Sequence, residues 1–232
     1  STEQLLQEEQ DQSAAVGLEA VRDQQAFDLE DPQYYLNREF SWLEFNRRVL
    51  AEAENENNPL LERLKFLAIV NSNLDEFFMK RIGGLKQQLG AGMSKKTVDG
   101  RTPREQISAC YELVREQEAA QRDIFHNLRE ELKQHDILIR TYETLDRDDV
   151  DYLRAHFHDT IFPLITPQSI DPAHPFPFIS NLSLNLLVHV RFPNQEGRVS
   201  LARIKVPIGD NLPRFIQLPG RDHYVPLEEV LR

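Results

Sequence analysis

The sequence predicts an α+β chain: an N-terminal helical bundle followed by a partial mixed α/β domain that contains a β-hairpin. Three observations carry this. Helix-start signals followed by apolar residues at helical spacing fill the first half. The apolar period then drops to two over Leu184, Leu186, Val188, Val190 and Phe192. The last residues, Glu228 to Arg232, read as a helix just beginning, so the second domain looks unfinished.

Residues 1–31 hold nine acids against one base, Arg22, so most of the net charge of −11 sits there and the remainder carries only −3. Such an acidic, Gln-rich stretch with few large apolar residues reads as a mobile tail and repels phosphates, which argues against nucleic-acid binding at that end. Residues 32–136 read as the helical domain. Ser41 with Glu44 makes a capping box, and Trp42, Phe45, Val49 and Leu50 form an apolar face behind it. Asn58-Pro59 starts a second helix through Leu60, Leu64, Leu67 and Ala68. Asn73 with Glu76 makes a box for a third, beginning at Leu74 and stopped by Gly90-Ala91-Gly92. Thr102-Pro103-Arg104-Glu105 opens a long fourth helix that runs to about His135.

Residues 137–232 read as the mixed domain. Ile137-Leu138-Ile139 is a short apolar run, and Asp146 with Asp149 caps a helix that Pro163 ends. The alternating stretch from Leu184 pairs, across a turn at Pro193 to Gly197, with a strand from Val199 to Val206, and Phe215 to Leu218 adds another.

Composition narrows the class. With 40% hydrophobic residues the chain supports a real core. No apolar run approaches the roughly 18 residues a bilayer crossing needs, and the N-terminal residues lack a basic-then-apolar signal pattern. One cysteine, Cys110, rules out an internal disulfide and fits a reducing, cytoplasmic compartment.

Three segments carry more polar and aromatic detail than their helix or strand starts require: Asn37 to Asn46, Phe66 to Phe77 (Phe-Leu-Ala-Ile-Val-Asn-Ser-Asn-Leu-Asp-Glu-Phe) and Asp171 to Leu186. Together, in order and with suitable spacing over residues 34–232, they resemble the N-terminal part of the bacterial, histidine-phosphorylating polyphosphate kinases. The resemblance implies a helical N-terminal domain and part of a head domain. It implies reversible transfer of the terminal phosphate of ATP to inorganic polyphosphate through a phosphohistidine in the C-terminal half, with magnesium held by that half. ATP, ADP and polyphosphate are then the ligands, a second copy meets the chain through the head domain, and no nucleic acid or membrane span is involved. These residues on their own are expected to be inactive, a fragment that supplies the adenine side of the ATP site and subunit contacts. A non-catalytic helical interaction or dimerisation module is the alternative.

The resemblance places one site residue. Asn73 matches the family asparagine that contacts the adenine end of ATP, while from the residues alone it reads as the cap of the helix at Leu74. An amide has an acceptor and two donors, so both roles fit one side chain. Arg81 resembles a recurring arginine of the same segment, and its planar fork suits a phosphate; a surface pairing with Asp75 or Glu76 is the competing reading.

Other constellations are set aside. Gly90 to Thr97 mimics a phosphate loop, but Lys95 replaces the glycine before Lys-Thr, and the segment follows a helix instead of a strand. His156 and His158 are two apart on a predicted helix, so they point apart and cannot share a metal. His126 with Glu130 reads as an ordinary helical pair, His174 as part of a Pro-stiffened extended connector, and Lys80 and Lys86 as solvated, while Arg38, Arg47 and Arg48 show no pattern of their own that marks them as site residues. No catalytic histidine and no metal ligand is assigned.

Overall fold

The computed structural model describes residues 28–191, 199–209 and 212–232. The predicted tail therefore lies outside the described residues except for 28–31, where the Asp31 side chain caps a 3₁₀ turn, Pro32–Tyr34. The chain falls into two compact units, one of residues up to Phe45 with Met79–Val114, the other of Asn46–Phe78 with Arg115–Arg232.

Helix α1 spans Arg38–Glu54. Its cap is Asn37, whose Oδ1 accepts from the backbone N–H groups of Glu39 and Phe40 at 2.9 and 3.2 Å. This corrects the box expected at Ser41 and Glu44. Ser41 lies one turn inside the helix and its Oγ donates back to the carbonyl of Asn37. The earlier start changes the buried face, which runs through Glu39, Leu43, Asn46, Leu50 and Ala53, and leaves Phe45 47% exposed instead of in a core.

Helix α2 spans Leu60–Phe77 and helix α3 spans Gly83–Gly90, joined without a break by a π-helical turn, Phe78–Ile82. The two helices expected here are one run, and Asn73 is inside it, not at a start. The reason is visible in the burial. Leu67, Val70, Leu74 and Phe77 follow one another at three- and four-residue steps straight through Asn73, and only the wider turn interrupts them, so that the next buried residue is Ile82.

Helix α4, Pro103–Gln134, starts as predicted. The Thr102 N–H reaches Glu105 Oε2 at 2.8 Å and the Glu105 N–H returns to Thr102 Oγ1 at 3.3 Å, a reciprocal box. Its buried stripe mixes Cys110, Val114, Ile124, Leu128 and Leu132 with three glutamines, Gln106, Gln117 and Gln121. In the second unit, Leu50, Ala53, Leu67, Val70, Ile124 and Leu128 form one apolar cluster. Arg63 is buried beside it, donating to the Ala53 carbonyl at 3.0 Å and to Glu131 at 2.7 Å.

The rest of the second unit is mixed. Strand β1, Leu138–Ile139, leads to helix α5, Arg147–His156, capped by Asp146, which accepts from the Asp149 N–H at 2.9 Å. Asp149 is buried and paired with Arg221. A second π turn, Phe157–Ile161, and a 3₁₀ turn, Phe162–Leu164, finish the helical stretch, with the expected stop Pro163 inside the last turn.

Five further strands follow: β2, Gln168–Ile170; β3, Asn185–Arg191; β4, Val199–Lys205; β5, Phe215–Gln217; and β6, His223–Pro226. Helix α6, Leu227–Val230, comes last. One sheet has the order β1-β6-β5 and the other β2-β4-β3. The expected hairpin is present, with β3 antiparallel to β4 from Asn185↔Lys205 to Arg191↔Val199, although its turn lies outside the described residues. The Asp171 to Phe178 run, expected to be extended, begins with a tight turn in which Asp171 Oδ1 accepts from the N–H groups of Ala173 and His174 at 2.9 Å each. The core of this part is Leu153, Ile161, Val206, Ile216, Leu218 and Val225, with Leu212 and Leu227 packed among them.

Candidate functional site

Asn73 is built into a small amide network of the second unit. Asn46, on the buried face of α1, has 0% of its surface exposed. Its Oδ1 accepts from Asn73 Nδ2 at 3.0 Å, and its own Nδ2 faces the Val70 carbonyl and Gln117 Oε1 at 3.4 Å each. Two long contacts and one good one fix the Asn46 plane, and Asn46 in turn fixes Asn73. Asn73 is only half-buried. Among the described residues its Oδ1 and its second N–H have no protein partner, so the amide keeps one acceptor and one donor that the protein does not use.

Arg81 lies in the first unit, within the π turn. It pairs with neither Asp75 nor Glu76. Its Nε is 3.8 Å from Glu39 Oε2, and Glu39 is buried, with Oε1 held by Arg38 at 2.7 Å. Glu39 Oε2 makes no hydrogen bond of its own, so this carboxylate oxygen is oriented by charge, and the Arg81 fork is tethered at one nitrogen only.

A second polar knot in this unit is centred on Asp99, which is buried and accepts from Asn37 at 3.0 Å, from Arg101 at 3.0 Å and from Thr97 at 2.5 Å. Burial pushes its carboxyl up, but the hydrogen bonds from Thr97, Asn37 and Arg101 outweigh it and hold the group below its ordinary value. Cys110 is pushed up to about 12, by burial first and then by the charge of Glu39, so it is a packed thiol and not a nucleophile.

Sequence reasoning did not single out Asn46, Glu39 or Gln117. The signal was their spacing on the buried stripes of α1 and α4, where a polar residue in an apolar series marks a satisfied buried group. Among the described residues, no three His, Cys, Asp or Glu side chains gather to hold a metal ion. A cavity of about 280 Å³ in the second unit is lined by Tyr142, Arg154, Phe157, Glu229 and Arg232 among others. Neither Asn73 nor Arg81 belongs to it.

Comparison with known proteins adds the following. Residues 35–140 match the family model described as the polyphosphate kinase N-terminal domain, and residues 148–232 match the polyphosphate kinase middle domain. A polyphosphate kinase of Synechocystis is 48% identical over 203 residues, covering 87% of this chain and 28% of the relative. That of Thermosynechococcus vestitus is 46% identical over 213 residues, covering 88% and 29%. The crystal structure of a polyphosphate kinase from Porphyromonas gingivalis superposes with a TM-score of 0.73 at 32% identity, over 84% of this chain and 29% of that one. The chain thus spans between a quarter and a third of the length of the relatives it matches. No helix among the described residues is long and apolar enough to cross a membrane.

Proposed function

The chain belongs to the polyphosphate kinase family, and from that membership we propose that it forms the adenine side of the ATP site of an enzyme that moves the terminal phosphate of ATP reversibly onto inorganic polyphosphate. The bond-making step passes through a phosphohistidine, with magnesium supplied where that histidine lies. Among these residues the task is recognition. The division into a helical part, 32–136, and a head part, 137–232, belongs to the same proposal and is supported by the change from helix to strand between Gln134 and Leu138.

The observation that carries the reading is the amide of Asn73. An adenine edge presents an acceptor nitrogen beside an exocyclic amino donor, and an asparagine amide answers both at once. Asn46 takes one N–H of Asn73, and the other N–H and Oδ1 are left without a protein partner among the described residues, which supports giving them to the ligand. Arg81, tethered only at Nε, is the lesser candidate for a phosphate oxygen. The reaction's setting in the cytoplasm is part of the proposal.

The test uses the chain extended to the full length of its relatives. Asn73→Asp replaces the donor by a carboxylate oxygen and raises the ATP KM about tenfold with a smaller change in kcat, the pattern of lost ground-state binding. An unchanged ATP KM refutes the assignment.

Pairing of two copies through the head part is favoured by its exposed apolar side chains, with Phe178 88% exposed and Phe162, Phe176 and Leu182 also open. Sedimentation equilibrium of the chain gives a dimer mass that Phe178→Ser reduces. A monomer at all concentrations rejects this part.

A further inference from the structure

Alternation along the strands of the β2-β4-β3 sheet sorts its charges. Leu186, Val188 and Val190 turn to the half-buried side, where Leu186 packs on the core. The opposite face carries Asn185, Leu187, His189 and Arg191 from β3, Leu201, Arg203 and Lys205 from β4, and Gln168 and Ile170 from β2. Four of these are basic types and none is acidic. His189, Arg191 and Lys205 are exposed.

Arg203 sits at the centre of this face, in the middle strand, directly opposite Gln168 on one side and Leu187 on the other. It is only 8% exposed, yet no carboxylate among the described residues pairs with it. Its Nε donates to Asn185 Oδ1 at 2.7 Å and its Nη1 to Gln168 Oε1 at 2.5 Å, both neutral amides. Asn185 is itself held in place, donating to the carbonyl and the Oγ of Ser183 at 2.9 Å each. The remaining guanidinium N–H groups have no protein acceptor among the described residues. A nearly buried cation with neutral partners and Lys205 two residues along the same face is electrostatically incomplete, and an anion completes it.

We propose that this sheet face, centred on Arg203, binds a segment of an inorganic polyphosphate chain. The proposal rests on the family reading above for the identity of the polyanion and extends it to residues with no assigned role. Charged side chains on an edge strand guard against edge-to-edge pairing, which accounts for His189 and Arg191 on β3 but not for a buried arginine on the central strand. The face offers charge and amides with no Phe, Tyr or Trp at any of its named positions and a single imidazole, His189, so it lacks the run of stacking rings that single-stranded nucleic acid uses. A chain of phosphates has charge to offer and no base to stack.

The experiment is fluorescence anisotropy of end-labelled polyphosphate with the 232-residue chain over a salt series, with ATP absent throughout. Arg191→Gln with Lys205→Gln, both at exposed positions, weakens binding about tenfold near 0.1 M salt and lowers the slope of log affinity against log salt by about one and a half units, roughly 0.7–0.9 for each charge removed. Arg203→Gln, which keeps an amide at the centre, moves both readouts the same way. Lys65→Gln with Lys133→Gln, an equal loss of charge on α2 and α4, changes affinity less than about twofold. The proposal is overturned if the Arg191 and Lys205 pair behaves like that control, or if the chain shows no saturable binding. Equal displacement by a single-stranded oligonucleotide of matched charge also overturns it, giving the face to nucleic acid. Since no arm contains ATP, failure here leaves the Asn73 assignment standing, and unchanged ATP kinetics on Asn73→Asp leaves this one standing.

Discussion

Truncating Asn46 to alanine separates a positioned amide pair from ordinary core packing. The side chain has no exposed surface and makes one contact of 3.0 Å, from Asn73, and two of 3.4 Å, to Val70 O and Gln117 Oε1. The long contacts are at the margin of hydrogen bonding and contribute little; the short one is worth about 1 kcal/mol net. The vacated space is about that of one water, ~30 Å³, which at ~24 cal/mol per Å³ adds about 0.7 kcal/mol. Asn73 is half-buried, so water replaces its lost partner and no stranded-donor penalty is added. Asn46→Ala therefore costs about 2 kcal/mol, read as a lower urea midpoint at unchanged m. Asn46→Asp has the same shape but turns a carboxylate oxygen toward two acceptors inside the core, and costs more than the alanine. Combined with Asn73→Ala, the cycle gives a coupling of about 1 kcal/mol. A cost below about 0.5 kcal/mol for Asn46→Ala, or an Asn46→Asp protein as stable as the parent, refutes the network and removes the device that aims Asn73.

Other outcomes follow from the same contacts. Asp99 has a folded-state pKa below its unfolded value, so its stabilisation is complete above about pH 4 and disappears as pH falls through the lowered value; Asp99→Asn flattens the acid limb of a stability-versus-pH curve, and an unchanged limb refutes this. Glu131→Gln leaves buried Arg63 with a weaker partner and costs about 1 kcal/mol, modest because Glu131 is 39% exposed on its side chain; thermal melts measure it, and a neutral result shows the pair to be ornamental. Cys110 stays unreactive toward a disulfide exchange reagent at pH 8 in the folded chain and reacts at once in urea; fast native labelling contradicts the buried thiol.

What the residues disclosed, and what they hid, has a physical division. The Thr102-Glu105 box and the Asp146 cap were legible because both halves of each signal lie within one helical turn. Asn73 with Glu76 offers the same local pattern, yet a helix passes through it, because the apolar series Leu67, Val70, Leu74, Phe77 leaves no break in which a start could form. Local punctuation yields to a continuous buried stripe. Trp42 and Phe45 misled for a related reason: large aromatics drew the buried face onto themselves, while the helix, starting at Asn37, gave it to Leu43 and Asn46. The polar members of that face were not legible at all, since an asparagine at a core position is tolerable only if a partner on another helix meets it, and the partners Asn73 and Gln117 are 27 and 71 residues away. The displaced reading of Asn73 has a consequence for recognition. A capping asparagine spends its oxygen on backbone N–H groups and has only donors to offer a ligand. An asparagine within a helix, whose oxygen is not spent on the backbone and one of whose N–H groups is taken by Asn46, keeps both an acceptor and a donor for a ligand. With no cap to make, the oxygen of Asn73 is available as the acceptor that the proposed contact with an adenine edge requires, beside a donor for the ring nitrogen.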